Sequence, residues 1–236
     1  MSNLLKNNLD RMNIKVTENQ IKQFDQYYEM LVEWNKVMNL TAITEYDEVI
    51  VKHFSDSLSI VKMQDMQQDM KIIDIGTGAG FPGIPLKIVF PDLQMTLLDS
   101  LNKRVKFLNA VIENLGLNNI ETLHGRAEDF ARRKEYRETY DMCVSRAVAN
   151  LSTLSEYCIP YIRVGGIFIS YKSGEIEQEA DKSKKSVKIL GGDIIKVEKF
   201  NLTDTEIGRS FVKIEKNKET PKEYPRKAGI PAKDPL

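Results

Sequence analysis

Lys71-Ile-Ile-Asp74-Ile-Gly76-Thr-Gly78-Ala-Gly80-Phe-Pro-Gly83-Ile-Pro85 is the stretch on which the fold of this chain turns. A short apolar run ends beside an acid, three glycines follow at alternate positions, and two prolines open what comes next. The spacing predicts a strand, a tight turn built on left-handed backbone, and a helix whose first turn tolerates proline. Such a turn lies at the carboxyl end of a strand and lets a ligand approach the backbone closely.

Downstream, the hydrophobic period alternates. Apolar runs at 71–75, 95–99, 119–123, 140–144 and 166–171 are separated by amphipathic segments at 82–90, 102–115, 150–162 and 175–190. A strand–helix rhythm of this kind predicts a parallel sheet with helices on both faces. In the segment after Asp99, Asn102 is the expected N-cap, Val105, Leu108, Ile112 and Leu115 make an apolar stripe, and Gly116 ends the helix. Two more strand-like runs, 193–200 and 210–215, have no helix between them and are expected to pair antiparallel.

Upstream, residues 1–68 read as helical. Ile21, Phe24, Tyr28, Leu31, Trp34 and Met38 recur at spacings of three and four, and Thr17 with Gln20 forms a capping box. Val49, Ile50, Phe54, Leu58 and Val61 suggest a second helix, and 63–70 a linker. At the other end, Pro221, Pro225, Pro231 and Pro235 interrupt a segment with no apolar period, which predicts a tail and not a packed element. The lysines of 182–188 follow Glu175, Glu177, Glu179 and Asp181, the order that complements a helix dipole, and so predict a solvated helix face.

Two ligand classes fit the glycine turn. Gly78, Gly80 and Gly83 spell Gly-x-Gly-x-x-Gly with Asp99 about twenty residues on, the pattern of a dinucleotide site and a nicotinamide-dependent oxidoreductase. Asp74-x-Gly76-x-Gly78-x-Gly80 also suits S-adenosylmethionine. Charge separates them. Asp74, Asp99 and Glu128 are expected to ring the carboxyl ends of the strands, where they repel a pyrophosphate and attract a cation, and Pro82 and Pro85 remove N–H groups that a phosphate wants. The methyl donor is favoured.

The whole chain has 236 residues, 34 basic and 34 acidic, with 42% apolar and 29% charged content. That is one α/β domain with an appendage, and a nucleic-acid surface on it has to be a local patch. Cys143 and Cys158 form no metal-ligand spacing with His53 and His124, so no metal is expected and Cys143 reads as a core thiol. No charged-then-apolar leader and no apolar run of membrane-spanning length is present, so a soluble, cytoplasmic protein without a membrane partner is expected.

Four motifs, Asp74–Pro85, Leu97-Leu-Asp-Ser-Leu-Asn-Lys-Arg104, Gly125-Arg-Ala-Glu128 and Ser145-Arg-Ala-Val-Ala149, together resemble the glucose-inhibited division protein B family. The likeness continues in Trp34–Thr41, His53–Ser57 and Pro225–Pro235, and so spans nearly the whole chain. The family comprises bacterial small-subunit rRNA guanine-N7 methyltransferases.

The resemblance implies a Rossmann-like class I S-adenosylmethionine-dependent methyltransferase fold, α/β with a mostly parallel seven-stranded sheet and an N-terminal helical extension. It implies methyl transfer from S-adenosylmethionine to N7 of guanine 527 in 16S rRNA, within the small ribosomal subunit or an assembly particle. The expected organisation is a helical cap (1–68), a methyltransferase domain (69–216) and a basic proline-rich tail (217–236), in a monomer. A non-catalytic rRNA assembly factor is the other alternative.

Under the same resemblance Asp74, Gly76, Gly78, Phe81, Asp99, Ala127, Glu128 and Arg146 bind the donor. Asp99 takes the ribose hydroxyls, Ala127 and Glu128 the adenine, and Phe81 supplies an apolar wall. Arg146, after the fourth strand, is the catalytic candidate, holding the donor carboxylate or a substrate phosphate; its ordinary alternative is an ion pair with Asp141 or Glu128. Lys103, Arg104, Arg226 and Lys227 are the expected RNA contacts. His53 reads as a helix-surface or packed residue and not as a catalytic base. No Pro-Pro-Tyr or Pro-Cys motif follows the fourth strand, and guanine N7 carries a free lone pair, so its methylation asks for no general base.

Overall fold

The computed structural model describes residues 3–147 and 149–236; Val148 of the Ser145–Ala149 motif, and Met1 and Ser2 of the expected cap, lie outside the described residues. Seven strands form one sheet: β1 (Lys71–Ile75), β2 (Gln94–Asp99), β3 (Ile120–His124), β4 (Tyr140–Ser145), β5 (Ile162–Ser173), β6 (Gly192–Asn201) and β7 (Gly208–Lys216). Their spatial order is β3-β2-β1-β4-β5-β7-β6. The first five are parallel, and β7 runs antiparallel between β5 and β6. The strand order reverses between β1 and β4, which places the crevice for a ligand over the carboxyl ends of those two strands.

Ile72 packs into one core and Ile73 into the other; Met142 and Val144 likewise oppose Cys143. Because both faces are covered, these strands are apolar runs and not alternating ones. On the first face lie α1 (Asn3–Arg11), α2 (Glu18–Met38), α5 (Gly83–Val89) and α6 (Asn102–Asn114), with an irregular helical run between α2 and β1. That run is α3 (Tyr46–Val49), a π turn (Ile50–Ser55), α4 (Asp56–Leu58) and a 3-10 turn (Ser59–Lys62). On the second face lie α7 (Ala127–Phe130), α8 (Leu151–Cys158) and α9 (Glu177–Ile189).

The capping box at Thr17 and Gln20 is present. The buried stripe of α2 is Phe24, Tyr27 and Leu31, so Tyr27 takes the central place that the sequence period assigns to Tyr28. Asn102 is the first residue of α6 and not its cap. Leu101 holds the cap position, and its N–H donates to Asp99 Oδ1 at 2.9 Å. The lysine-rich face of α9 is solvated, with Ala180, Ser183, Ser186 and Val187 buried beneath it.

The expected loose tail is a packed element. Pro225 and Pro231 are buried, and a short helix, α10 (Ile230–Lys233), ends the segment. Arg137 donates to the carbonyls of Thr220 and Tyr224, Arg132 to that of Pro225, and Arg226 grips Glu156. Arginine forks supply here the anchoring that an apolar period supplies elsewhere.

Candidate active site

The glycine turn is held from below and from the side. Gly76 and Gly78 have φ of +71° and +63°, the left-handed region that glycine enters without strain. Asp74 Oδ2 accepts from Thr77 Oγ1 at 2.7 Å and from Gly83 N at 2.9 Å, so the last residues of β1 tie both ends of the turn. A Cβ on Gly83 would lie 2.2 Å from Leu97 Cδ2, which is why α5 can start so close to the sheet. From α2, Tyr27 Oη donates to Ala79 O.

Over this turn opens a cleft of about 610 Å³. Gly76, Gly78, Phe81, Asp99, Ala127, Glu128 and Arg146 line it, seven residues from four separate loops brought together as the sequence predicts. Asp74 does not line it. That carboxyl is fully buried, burial pushes its pKa up to about 7, and Oδ1 has no hydrogen-bond partner. It is a turn-holding group, not one facing the ligand.

The expected ring of acids is therefore two, Asp99 and Glu128, and Arg104, Arg126 and Arg146 line the same cleft. Asp99 Oδ2 accepts from Gly78 N at 2.9 Å and from Arg104 at 3.3 Å. Glu128 Oε1 accepts from Gly229 N at 2.8 Å. Bare repulsion of phosphate does not describe such a site. Asp99, 2% exposed, sets a buried carboxylate acceptor at the end of β2 on the lining of the cleft.

Arg146 does not pair with Asp141, which binds Arg163 and Lys71 N at the opposite end of the sheet, nor with Glu128. Its partner comes from the helical cap. NH1 donates to Asp56 Oδ2 at 3.1 Å and Lys52 O at 3.2 Å, and the guanidinium lies 5.0 Å from the centre of the Phe81 ring. Asp56 Oδ1 takes a second arginine, Arg209, at 3.1 Å.

His53 stacks on Phe81 with ring centres 4.5 Å apart. Burial, then the Arg146 charge, lowers its pKa to about 3. His53 Nδ1 lies 3.1 Å both from Arg146 NH2, which only donates, and from Lys52 O, which only accepts, and Nε2 lies 2.9 Å from Thr41 Oγ1. A neutral, locked imidazole orients Arg146 and is a poor proton acceptor.

A second cleft, about 710 Å³, adjoins the first and shares His53, Arg146, Ala147 and Ala149 with it. Lys52, Lys172 and Arg209 face it against Asp56 and Glu179. Sequence reasoning missed Asp56, Arg209, Thr41 and the place of His53. The signals were the Trp34–Thr41 and His53–Ser57 motifs, which single out Thr41, His53 and Asp56 without giving their contacts; Arg209 lies in neither.

Of the expected RNA contacts, Lys103 is exposed and reaches Met38 O at 2.7 Å, and Lys227 is exposed. Arg104 lines the glycine-turn cleft. Arg226 turns inward onto Glu156.

A family model described as GidB, rRNA small subunit methyltransferase G, matches residues 20–207. A ribosomal RNA small subunit methyltransferase G of Desulforamulus reducens is 53% identical over 232 residues, 98% of this chain and 97% of its own length. The protein of the same name from Clostridium botulinum is 49% identical over 99% of this chain and 98% of its own. Among solved structures, M. jannaschii TYW2 in complex with AdoMet shares the fold with a TM-score of 0.56 at 14% identity, over 74% of this chain and 79% of that one. The [4+2]-cyclase SpnF does so with a TM-score of 0.60 at 11% identity, over 81% and 94%.

Proposed function

The chain belongs to the GidB family, rRNA small subunit methyltransferase G, and is an rRNA methyltransferase; from that premise we propose that it methylates N7 of guanine 527 in 16S rRNA, with S-adenosylmethionine as donor. The observation that carries the proposal is the meeting of two clefts at Arg146. One is a nucleoside cleft on the glycine turn, the other a basic cleft fit for a phosphodiester chain.

The residues fit the donor. Gly76 and Gly78 bring backbone close to it, the buried Asp99 carboxylate suits its ribose, Ala127 and Glu128 border its adenine, and Phe81 walls its apolar side. When bound, it supplies an electrophilic methyl group on a sulfonium. Arg146 is set at the junction by Asp56, Lys52 O and His53, so that it holds the donor carboxylate or an acceptor phosphate without moving.

Guanine N7 accepts a methyl group through a lone pair that no base has to uncover, and the product base is cationic. A site with no free general base suits this chemistry: His53 is neutral with its pKa near 3, and Cys143 is buried with its thiol held well up by burial. Alignment then carries the rate, a contribution of up to ~7–11 kcal/mol in well-oriented systems. The acceptor nucleotide belongs in the second cleft, its phosphates toward Lys52, Lys172 and Arg209. The helical cap of 1–68 contributes Asp56 and His53, the methyltransferase unit of 69–216 the donor cleft, and the particle around the RNA is the small subunit or its precursor.

Calorimetry tests the donor. S-adenosylhomocysteine is expected to bind and NAD(P) to be ignored; the reverse outcome would return the glycine turn to the dinucleotide class.

A further inference from the structure

The segment 217–236 is fastened to the methyltransferase fold by contacts that serve no RNA. Glu156 on α8 is fully buried, and its carboxylate accepts Arg226 N at 2.7 Å, Nε at 3.0 Å and NH2 at 2.7 Å. Leaving that carboxylate unpaired inside the fold would be costly, so the chain is fixed at 226. Five residues on, Thr153 Oγ1 donates to Pro231 O at 3.0 Å. Between these two points Gly229 N donates to Glu128. Ala232, next in line, lines the glycine-turn cleft, as do Ala127 and, from α8, Leu154 and Tyr157. Tyr161 Oη, 2.6 Å from Ala127 O, holds the facing side still.

We propose that residues 226–232 are a strap that completes the nucleoside cleft, closing the side that receives the adenine of the methyl donor, with Glu156 as the residue that positions it. A purine ring needs an apolar wall on each face and a polar edge. Ala127 and Glu128 alone give one wall and one acceptor, and Glu128 is already held by Gly229. The strap supplies the second wall. The two basic residues of the segment therefore part company: Arg226 is a clamp for the donor site, and only Lys227 is free to meet solvent.

The inference rests on the donor reading of the cleft, and the test separates the two. S-adenosylhomocysteine binding to the parent chain is measured first by calorimetry; no binding there sinks the donor reading itself. Glu156→Gln, which keeps shape and weakens the clamp, is expected to raise the donor KM at least fivefold with kcat within twofold and with unchanged KM for undermethylated small subunits. Ala232→Trp, at an exposed position, is expected to keep the parent melting temperature and to weaken S-adenosylhomocysteine at least tenfold. Binding by Ala232→Trp within twofold of the parent overturns the strap, as does a loss of RNA affinity with donor affinity intact in either variant.

Discussion

Two acids close together in sequence position relative to their strands do different work. Asp74 is sealed under the turn, whereas Asp99 borders the cleft. Asp99→Ala removes an acceptor for Gly78, Arg104 and, in the proposed function, the donor ribose, and a hydrogen-bonded charge is worth about 1.5–3 kcal/mol. S-adenosylhomocysteine affinity is expected to fall about 10–100-fold by calorimetry. Asp74→Asn keeps an oxygen for Thr77 and Gly83 and is expected to leave that affinity within threefold. It changes pH dependence instead. The folded-state pKa of Asp74 is raised to about 7, so its contribution is full below its ordinary value of 3.8 and lost as pH rises through 7. Asparagine has nothing to lose over that range. Denaturant melts should therefore show Asp74→Asn gaining on the parent between pH 5 and pH 8; a constant difference would contradict the assignment. His53 works in the other sense and is common to both proteins: its lowered pKa makes stability rise with pH between about 3 and 6.5. Arg146→Lys keeps the charge but loses the planar fork shared by Asp56, Lys52 O and His53, and kcat is expected to drop about 100-fold with little change in donor affinity.

At the scale of elements, the N-terminal helical segment reaches the cleft through Tyr27 on the glycine turn, through Asp56 and Lys52 O on Arg146, and through His53 on Phe81. Tyr27→Phe strands the buried Ala79 carbonyl at a cost of about 1–3 kcal/mol, a melting temperature lower by roughly 2–4 °C for each kcal/mol in a protein of this size. A change below 1 °C in calorimetric melts would remove that bond from the account. The alternation of apolar runs and amphipathic segments was enough to place all seven strands and the antiparallel pair, because a sheet covered on both faces leaves unbroken apolar runs. Seven of the eight residues expected at the donor line one cleft for a related reason: they follow strands, and strand ends converge in an open sheet. What stayed hidden has no period. Arg137 and Arg132 hold the C-terminal segment by its carbonyls, a long-range pairing invisible to windows along the chain. Asp56 meets Arg146 and Arg209 across 90 and 153 residues, and Asp74 and Asp99 are both buried strand-end acids of which only Asp99 lines the cleft.

For the molecule as a whole, balanced charge calls for a local RNA surface, and the proposed function puts the phosphates in the basic cleft at the junction. Arg209→Gln is expected to weaken binding to small subunits uniformly and to reduce the slope of log affinity against log salt by about one, donor affinity being unchanged. An unchanged slope would move the RNA path elsewhere. The central claim is the reaction itself, and one experiment meets it directly. Small subunits from cells lacking the modification are incubated with the protein and methyl-labelled S-adenosylmethionine, and N7-methylguanine is mapped by chain cleavage. Label at guanine 527 of 16S rRNA, and nowhere else, is the result predicted. Binding of donor and subunit with no label transferred, or label at another base or atom, would contradict it.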